Sequence, residues 1–171
     1  MDSTVQGTAD GSSRSRSSYV LNKCVIGYGI VNGVVNAVIF YLMHAGDPLA
    51  TFDRASIALD MTLTGVLLSL ILMACAVPLT RHDMKRQAFD SSEPLEGWRA
   101  NLPKSPVAAA LLVAAASTAV TVGVAMGASL LLPLPLGVIP MMVFKGVLCA
   151  LAGGVSGCLS IYYAIARPAD A

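Results

Sequence analysis

Two ionisable and two amide side chains lie inside otherwise apolar stretches of this sequence. Asp60 and Lys145 are the ionisable residues, and Asn32 and Asn36 are amides one helical turn apart. A single charge near the centre of a bilayer costs about 2.5–3.5 kcal/mol on insertion scales, so an acid and a base in such stretches are expected to pair. A pair of this kind either binds a small polar solute, an ion or a proton, or holds helices together.

The depth of these residues along the expected helices brings them into one layer. Asp60 lies roughly 9 Å after the start of its helix, and Lys145 lies at a similar depth in another. Asn36 lies at about the same depth, whereas Asn32 is about one turn nearer the membrane centre. We expect Asp60 to pair with Lys145, and Asn36 and in one arrangement also Asn32 to donate to the carboxylate. Thr64, Cys149 and Ser156 are expected to extend the network. The alternative is that both charges reach the outer interface.

The composition is that of a membrane protein. Of the 171 residues, 56% are hydrophobic and 12% are charged, whereas soluble domains have about 45–50% apolar and about 25% charged residues. The formal net charge of +1 gives no electrostatic reason to expect nucleic acid as a partner. Residues 1–18 are rich in Ser, Thr and Gly and are predicted to form a disordered cytoplasmic tail.

Residues 19–171 are predicted to form one all-α transmembrane domain, a four-helix bundle. About 20 apolar residues cross the hydrocarbon core, and four segments meet this requirement: 19–43, 55–79, 107–132 and 138–166. Pro78 and the charged residues after it predict that the second span ends at residue 79. Asp53 is the predicted N-cap of that span. The four spans follow one another as two helical hairpins, spans 1–2 and spans 3–4. This order is compatible with two tandem repeats of one hairpin.

Small residues mark the faces through which the spans are expected to pack. In span 1, Gly29 and Gly33 share one face with the two asparagines, since residues three and four apart align on a helix. Spans 3 and 4 carry similar small-residue faces, which allow close approach of neighbouring backbones. The members of these faces are Ala110, Ala114, Ser117, Thr121 and Ala125 in span 3, and Gly146, Ala150, Gly153, Gly154 and Gly157 in span 4.

The distribution of cations predicts that both termini are cytoplasmic. With that orientation the outer side holds only Arg54, and the positive-inside rule is satisfied. The cytoplasmic side then holds Arg14, Arg16, Lys23, Arg81, Lys85, Arg86, Arg99, Lys104 and Arg167. The cytoplasmic loop 80–106 contains Leu95, Trp98 and Leu102 at the spacing of a short helix lying in the headgroup region, with an ordinary mobile loop as the alternative.

No pattern for a metal, a cofactor or a catalytic centre was found, and we expect a protein that is not an enzyme. The cysteines form no C-x-x-C pair, and His44 and His82 end their spans on opposite sides of the membrane. We interpret the thiols as small apolar packing groups. These are Cys24, Cys75, Cys149 and Cys158.

The run N-K-C-V-I-G-Y-G-I-V-N-G-V-V-N, from Asn22 to Asn36, resembles the opening of short bacterial membrane proteins labelled as permeases. That resemblance implies transport and a bacterial cytoplasmic (inner) membrane, but no substrate and no site residues. We therefore expect a permease-like protein that moves a small polar solute or ion. A homo-oligomer is expected because four spans rarely enclose a solute path. The alternative is a non-catalytic scaffold or accessory subunit, whose buried polar residues only fix helix packing and whose loop 80–106 recruits a protein partner.

Overall fold

The computed structural model describes residues 15–89, 97 and 102–167. Within these residues, four helices are long and apolar enough to cross a membrane: α1 (Arg16–His44), α2 (Arg54–Lys85), α3 (Pro106–Ser129) and α4 (Val138–Ala166). Two short strands, β1 (Thr51–Phe52) and β2 (Leu136–Gly137), lie in the connections. The predicted architecture is thus confirmed in the number of helices and in their being long and apolar enough to cross a membrane.

Helix α4 is the central element, because it packs against each of the other three helices. Helices α2 and α3 also pack along each other, whereas α1 packs on α4 and makes at most marginal backbone contact with α2. The expectation of two tandem hairpins is therefore wrong for the first pair of spans. The physical reason is that the small-residue face of α1 fits the one on α4, and α2 offers no glycine-rich face of that kind.

Glycines allow α1 and α4 to approach very closely. A methyl group added at Gly33 would lie 2.6 Å from the carbonyl oxygen of Gly146, and one added at Gly153 would overlap the carbonyl oxygen of Tyr28. Gly29 and Gly33 are both buried, as the small-residue face of span 1 predicts. Contacts of this kind replace the hydrophobic effect as the force that associates helices in lipid.

Residues Lys23–Ile30 of α1 are π-helical, which the sequence did not predict. The π-helix is rare, because its wider turn gives up packing within the helix itself. Here the wide segment contains Tyr28, whose backbone contacts Gly153 and whose ring packs on Gly157 of α4. Local distortion of α1 therefore coincides with its tightest contact to α4.

Helix α2 continues to Lys85, so the predicted end at residue 79 is wrong for the helix. Pro78 lies inside it and removes one backbone hydrogen bond, but the turns after it have other partners. Arg81 donates to the carbonyl of Arg167, and Asp83 accepts from the Tyr19 hydroxyl. The apolar part of α2 ends near residue 79, while the helix itself continues through the mostly polar and charged residues that follow. At its other end Asp53 caps α2 as predicted, accepting from the Ser56 N–H at 2.8 Å.

The two connections at the other end of the bundle are tied together by the strands. Thr51 pairs with Gly137 and Phe52 with Leu136 in an antiparallel arrangement. Segments of two residues carry no detectable alternation of polar and apolar positions, so the sequence did not predict them. The pairing aligns the N-termini of α2 and α4, both of which start directly after these strands.

Several predictions concern residues outside the described ranges. Trp98 and Leu95 are among these, so the predicted short helix in the loop stays a prediction. Leu102, its third member, is described and buried. Most of the predicted disordered tail also lies outside, although α1 already begins at Arg16, within the predicted tail.

Candidate functional site

The structure contains an ion pair between Asp60 of α2 and Lys145 of α4. The lysine Nζ lies 2.6 Å from one carboxylate oxygen and 2.8 Å from the other, so it donates to both. Both residues lie in the early turns of their helices, and the β1–β2 pairing holds those helix starts side by side. Depth along the helices predicted this pair correctly.

The two members of the pair differ in their surroundings. The Lys145 side chain is 11% exposed and the Asp60 side chain is 34% exposed. The ammonium also lies 5.2 Å from the centre of the Phe40 ring, within the range of a cation–π interaction. The ammonium is thus enclosed by a carboxylate and an aromatic ring, while the carboxylate is open on one side.

The asparagines do not donate to the carboxylate, and that part of the prediction is wrong. Asn32 donates to the Tyr28 carbonyl at 2.7 Å, and Asn36 donates to the Asn32 carbonyl at 2.9 Å. An amide side chain in a helix can reach the carbonyl one turn before it, so each satisfies a donor without crossing to another helix. Thr64 is half-buried, and no hydrogen bond joins it to Asp60.

Asn36 nevertheless lies on the side of α1 that faces the ion pair. It precedes Phe40 by one turn, and Phe40 covers the Lys145 ammonium. Both asparagines are half-buried. Among the described residues the predicted layer therefore consists of one direct ion pair, and Asn36, on the Phe40 side of α1, is satisfied within its own helix.

A second polar cluster, formed by Ser69, Ser117 and Ser156, lies deeper in the bundle. The Ser156 hydroxyl is 2.8 Å from those of both Ser69 and Ser117, and Ser117 donates to the Ala152 carbonyl at 3.2 Å. All three serines are fully buried. Ser156 lies about 16 Å along α4 from the ion pair, so the two clusters are distinct.

Sequence reasoning missed Ser69. The signal that would have revealed it is its spacing of four residues from Gly65, a small residue against which α3 packs through Thr118. Ser117 and Thr121, in contrast, were expected on the close-packing face of α3, and both are buried there with Ala114 and Ala125.

Three cavities formed by described residues do not include the ion pair. The largest of the three, about 1030 Å³, lies at the opposite end of the bundle and is lined by residues such as Arg81 and Lys104. Another, about 560 Å³ and apolar, lies between α1 and α4, and a third of about 360 Å³ lies near His44. Neither Asp60 nor Lys145 lines any of the three, so within one chain these cavities offer the pair no solute chamber.

Metal-binding groups do not converge in the part of the chain that the structure describes. No group of three His, Cys, Asp or Glu side chains there is placed to hold a metal ion. The described cysteines form no disulfide; Cys24 and Cys149 are buried and Cys158 is half-buried, as expected of packing groups, whereas Cys75 is exposed. The His44 ring packs against Phe40 and Phe52.

Comparison with known proteins adds no relative. No family model matches the chain, and neither a curated protein nor a solved structure matches it. The resemblance of residues 22–36 to permease-labelled proteins therefore stays a prediction.

Proposed function

We propose that this chain is a small permease-like protein of the bacterial cytoplasmic membrane, in which a small polar solute or ion passes the Asp60–Lys145 pair. The observation that carries the proposal is a charged pair inside two apolar helices, with the carboxylate open on one side. Ionisable residues within membrane spans are costly and commonly mark solute or ion pathways.

The described cations support an orientation with both termini in the cytoplasm. They concentrate at the end of the bundle where α2 and α4 finish, and Arg54 is at the opposite end. In this orientation the ion pair is in the outer half of the membrane. The residues at the cationic end are Arg16, Lys23, Arg81, Lys85, Arg86, Lys104 and Arg167.

A homo-oligomer would complete the pathway. None of the three cavities described above reaches the pair, yet the Asp60 carboxylate is open on one side. The exposed faces of α1 and α2 carry large apolar side chains, which a second copy could cover as readily as lipid. We propose that the path forms between copies of the chain.

The alternative function is that of a non-catalytic scaffold or accessory subunit, in which the pair only ties α2 to α4. The observation that favours it is that these polar side chains already have hydrogen-bond partners within the chain. Lys145 donates to both oxygens of Asp60, and Asn32 and Asn36 are satisfied within α1. Such a subunit would recruit its partner through loop 80–106.

Water access to the layer around the pair distinguishes these functions. Single cysteines are placed at Asn36 and Thr64 in a chain whose own cysteines are replaced, leaving the ion pair intact. A charged, membrane-impermeant thiol reagent added from outside should label both positions if the layer is part of a pathway. Two control positions should stay unlabelled. They are Leu63→Cys, on the exposed apolar face at the same depth, and Ser69→Cys, in the closed serine cluster. Protection of all four positions would refute transport and leave the packing role.

A further inference from the structure

The largest cavity described above is a groove between α2 and α3, with α4 as its floor. Its volume is about 1030 Å³. Three cations, Arg81, Lys104 and Arg167, lie at the end where α2 and α4 finish. The walls that run from there into the membrane are apolar and include Leu70 and Leu111. The groove is therefore amphipathic along its length.

The cations of the groove lack a counter-charge among the described residues. Arg81 donates through Nη2 to the Arg167 carbonyl at 2.7 Å, and Arg167 donates through Nη2 to the Leu102 carbonyl at 3.1 Å. The Nε groups of both arginines are buried without a hydrogen-bond partner. Asp83, two residues after Arg81 on α2, is instead engaged by Tyr19 and Lys23. Within the described part of the chain, an anion is therefore the chemical group that would balance these cations.

The apolar part of the groove has the length of an acyl chain segment rather than of a small anion. Along α2 it runs from Leu70 to Arg81, which is about 16 Å. Val107 and Leu111 on the facing helix are exposed, as is Leu70. These side chains therefore lie on the face that α2 and α3 would present to hydrocarbon.

We propose that this groove binds one anionic diacyl phospholipid. Its phosphate would lie among Arg81, Lys104 and Arg167, and an acyl chain would follow the apolar walls. Charge complementarity identifies the headgroup, because basic pockets between membrane helices favour anionic lipids. The apolar walls identify the rest of the ligand. The site is separate from the Asp60–Lys145 pair, and the inference does not depend on transport.

Lipid binding by the purified full-length chain tests the proposal. Dioleoyl phosphatidylglycerol or dioleoyl phosphatidylcholine is added to delipidated protein in mild detergent, and bound lipid is counted by native mass spectrometry. We expect one phosphatidylglycerol to bind at least about ten-fold more tightly than phosphatidylcholine, since each cation near a membrane surface contributes about five-fold and any two of the three together already exceed ten-fold. Millimolar inorganic phosphate should not displace the lipid. Equal affinity for the two lipids, or displacement by phosphate, would overturn the proposal.

Matched variants locate the site. Lys104 is exposed and has no described polar contact, so Lys104→Gln should fold normally and weaken phosphatidylglycerol binding about five-fold. Lys85→Gln removes the same charge at the same end but outside the groove, and should have no effect. Ala110→Phe fills the groove while keeping its charges and should also weaken binding, whereas Ala115→Phe, on an exposed face outside the groove, should not. Equal effects within either pair would show that the lipid binds elsewhere.

Discussion

Removing the Asp60 carboxylate should be more damaging than removing the Lys145 ammonium. In Asp60→Asn the ammonium is left on a side chain that is only 11% exposed, beside the Phe40 ring. Breaking a buried pair by removing one partner costs about 3–5 kcal/mol, because the remaining charge is uncompensated. We expect Asp60→Asn to lower the free energy of unfolding by about 3 kcal/mol.

Lys145→Met leaves a carboxylate that is 34% exposed and lies roughly 9 Å from the start of α2. Partial solvation near the interface offsets the lost partner, so the expected cost falls to about 1–2 kcal/mol. The double variant leaves no charge behind and should regain most of the stability, since neutral replacements of buried pairs are often tolerated. The order of stability is therefore wild type and double variant, then Lys145→Met, then Asp60→Asn.

Unfolding in mixed micelles by increasing the fraction of denaturing detergent, followed by circular dichroism, measures these differences. Asp47→Asn provides the matched control, since it makes the same chemical change at an exposed position in the connection after α1. Equal costs for the two single variants would contradict the assigned asymmetry in burial. A neutral Asp60→Asn would refute the reasoning altogether, because it would mean that Lys145 reaches water without its partner.

Two further predictions concern helix contacts and helix ends. Gly33→Ala places a methyl group 2.6 Å from the Gly146 carbonyl oxygen, so it should destabilise the chain by about 1–3 kcal/mol in the same unfolding assay. Gly123→Ala, which meets open space, should be neutral or stabilising; the reverse order would contradict the α1–α4 packing. Hydrogen bonds from the side chain and backbone of Ser56 hold the pKa of Asp53 below its ordinary value. The cap is therefore present at neutral pH and is lost as the pH falls through that lowered pKa. Over that pH range, exchange of the backbone amide hydrogens in the first turn of α2 should accelerate by more than the intrinsic effect of pH on exchange. Asp53→Asn should abolish this acceleration, and an unchanged pH profile in the variant would refute the assignment.

Much of the layout could be predicted from the sequence because it depends on local properties. Apolar length decides that a segment can cross a bilayer, and the capping preference of Asp53 follows from the backbone donors at the start of any helix. The Asp60–Lys145 pair was also predictable, because rise per residue converts sequence position into depth. Depth alone, however, does not say which residues face each other.

The errors concern choices between partners. Asn32 and Asn36 had two ways to satisfy their amides, and the carbonyl one turn back was nearer than a carboxylate on another helix. The end of α2 was predicted from hydropathy and Pro78. Its extension instead depends on contacts with residues distant in sequence, such as Arg167 and Tyr19.

The sequence by itself determined four apolar helices, their approximate bounds, the small-residue faces and an acid and a base at one depth. These follow from hydropathy and helical periodicity, which are properties of each segment alone. Only the tertiary structure decided that α4 is central, that α1 packs on α4 rather than on α2, and that Lys145 is enclosed while Asp60 is open. Helix pairing depends on which small-residue faces fit each other, and such complementarity is a property of two surfaces together.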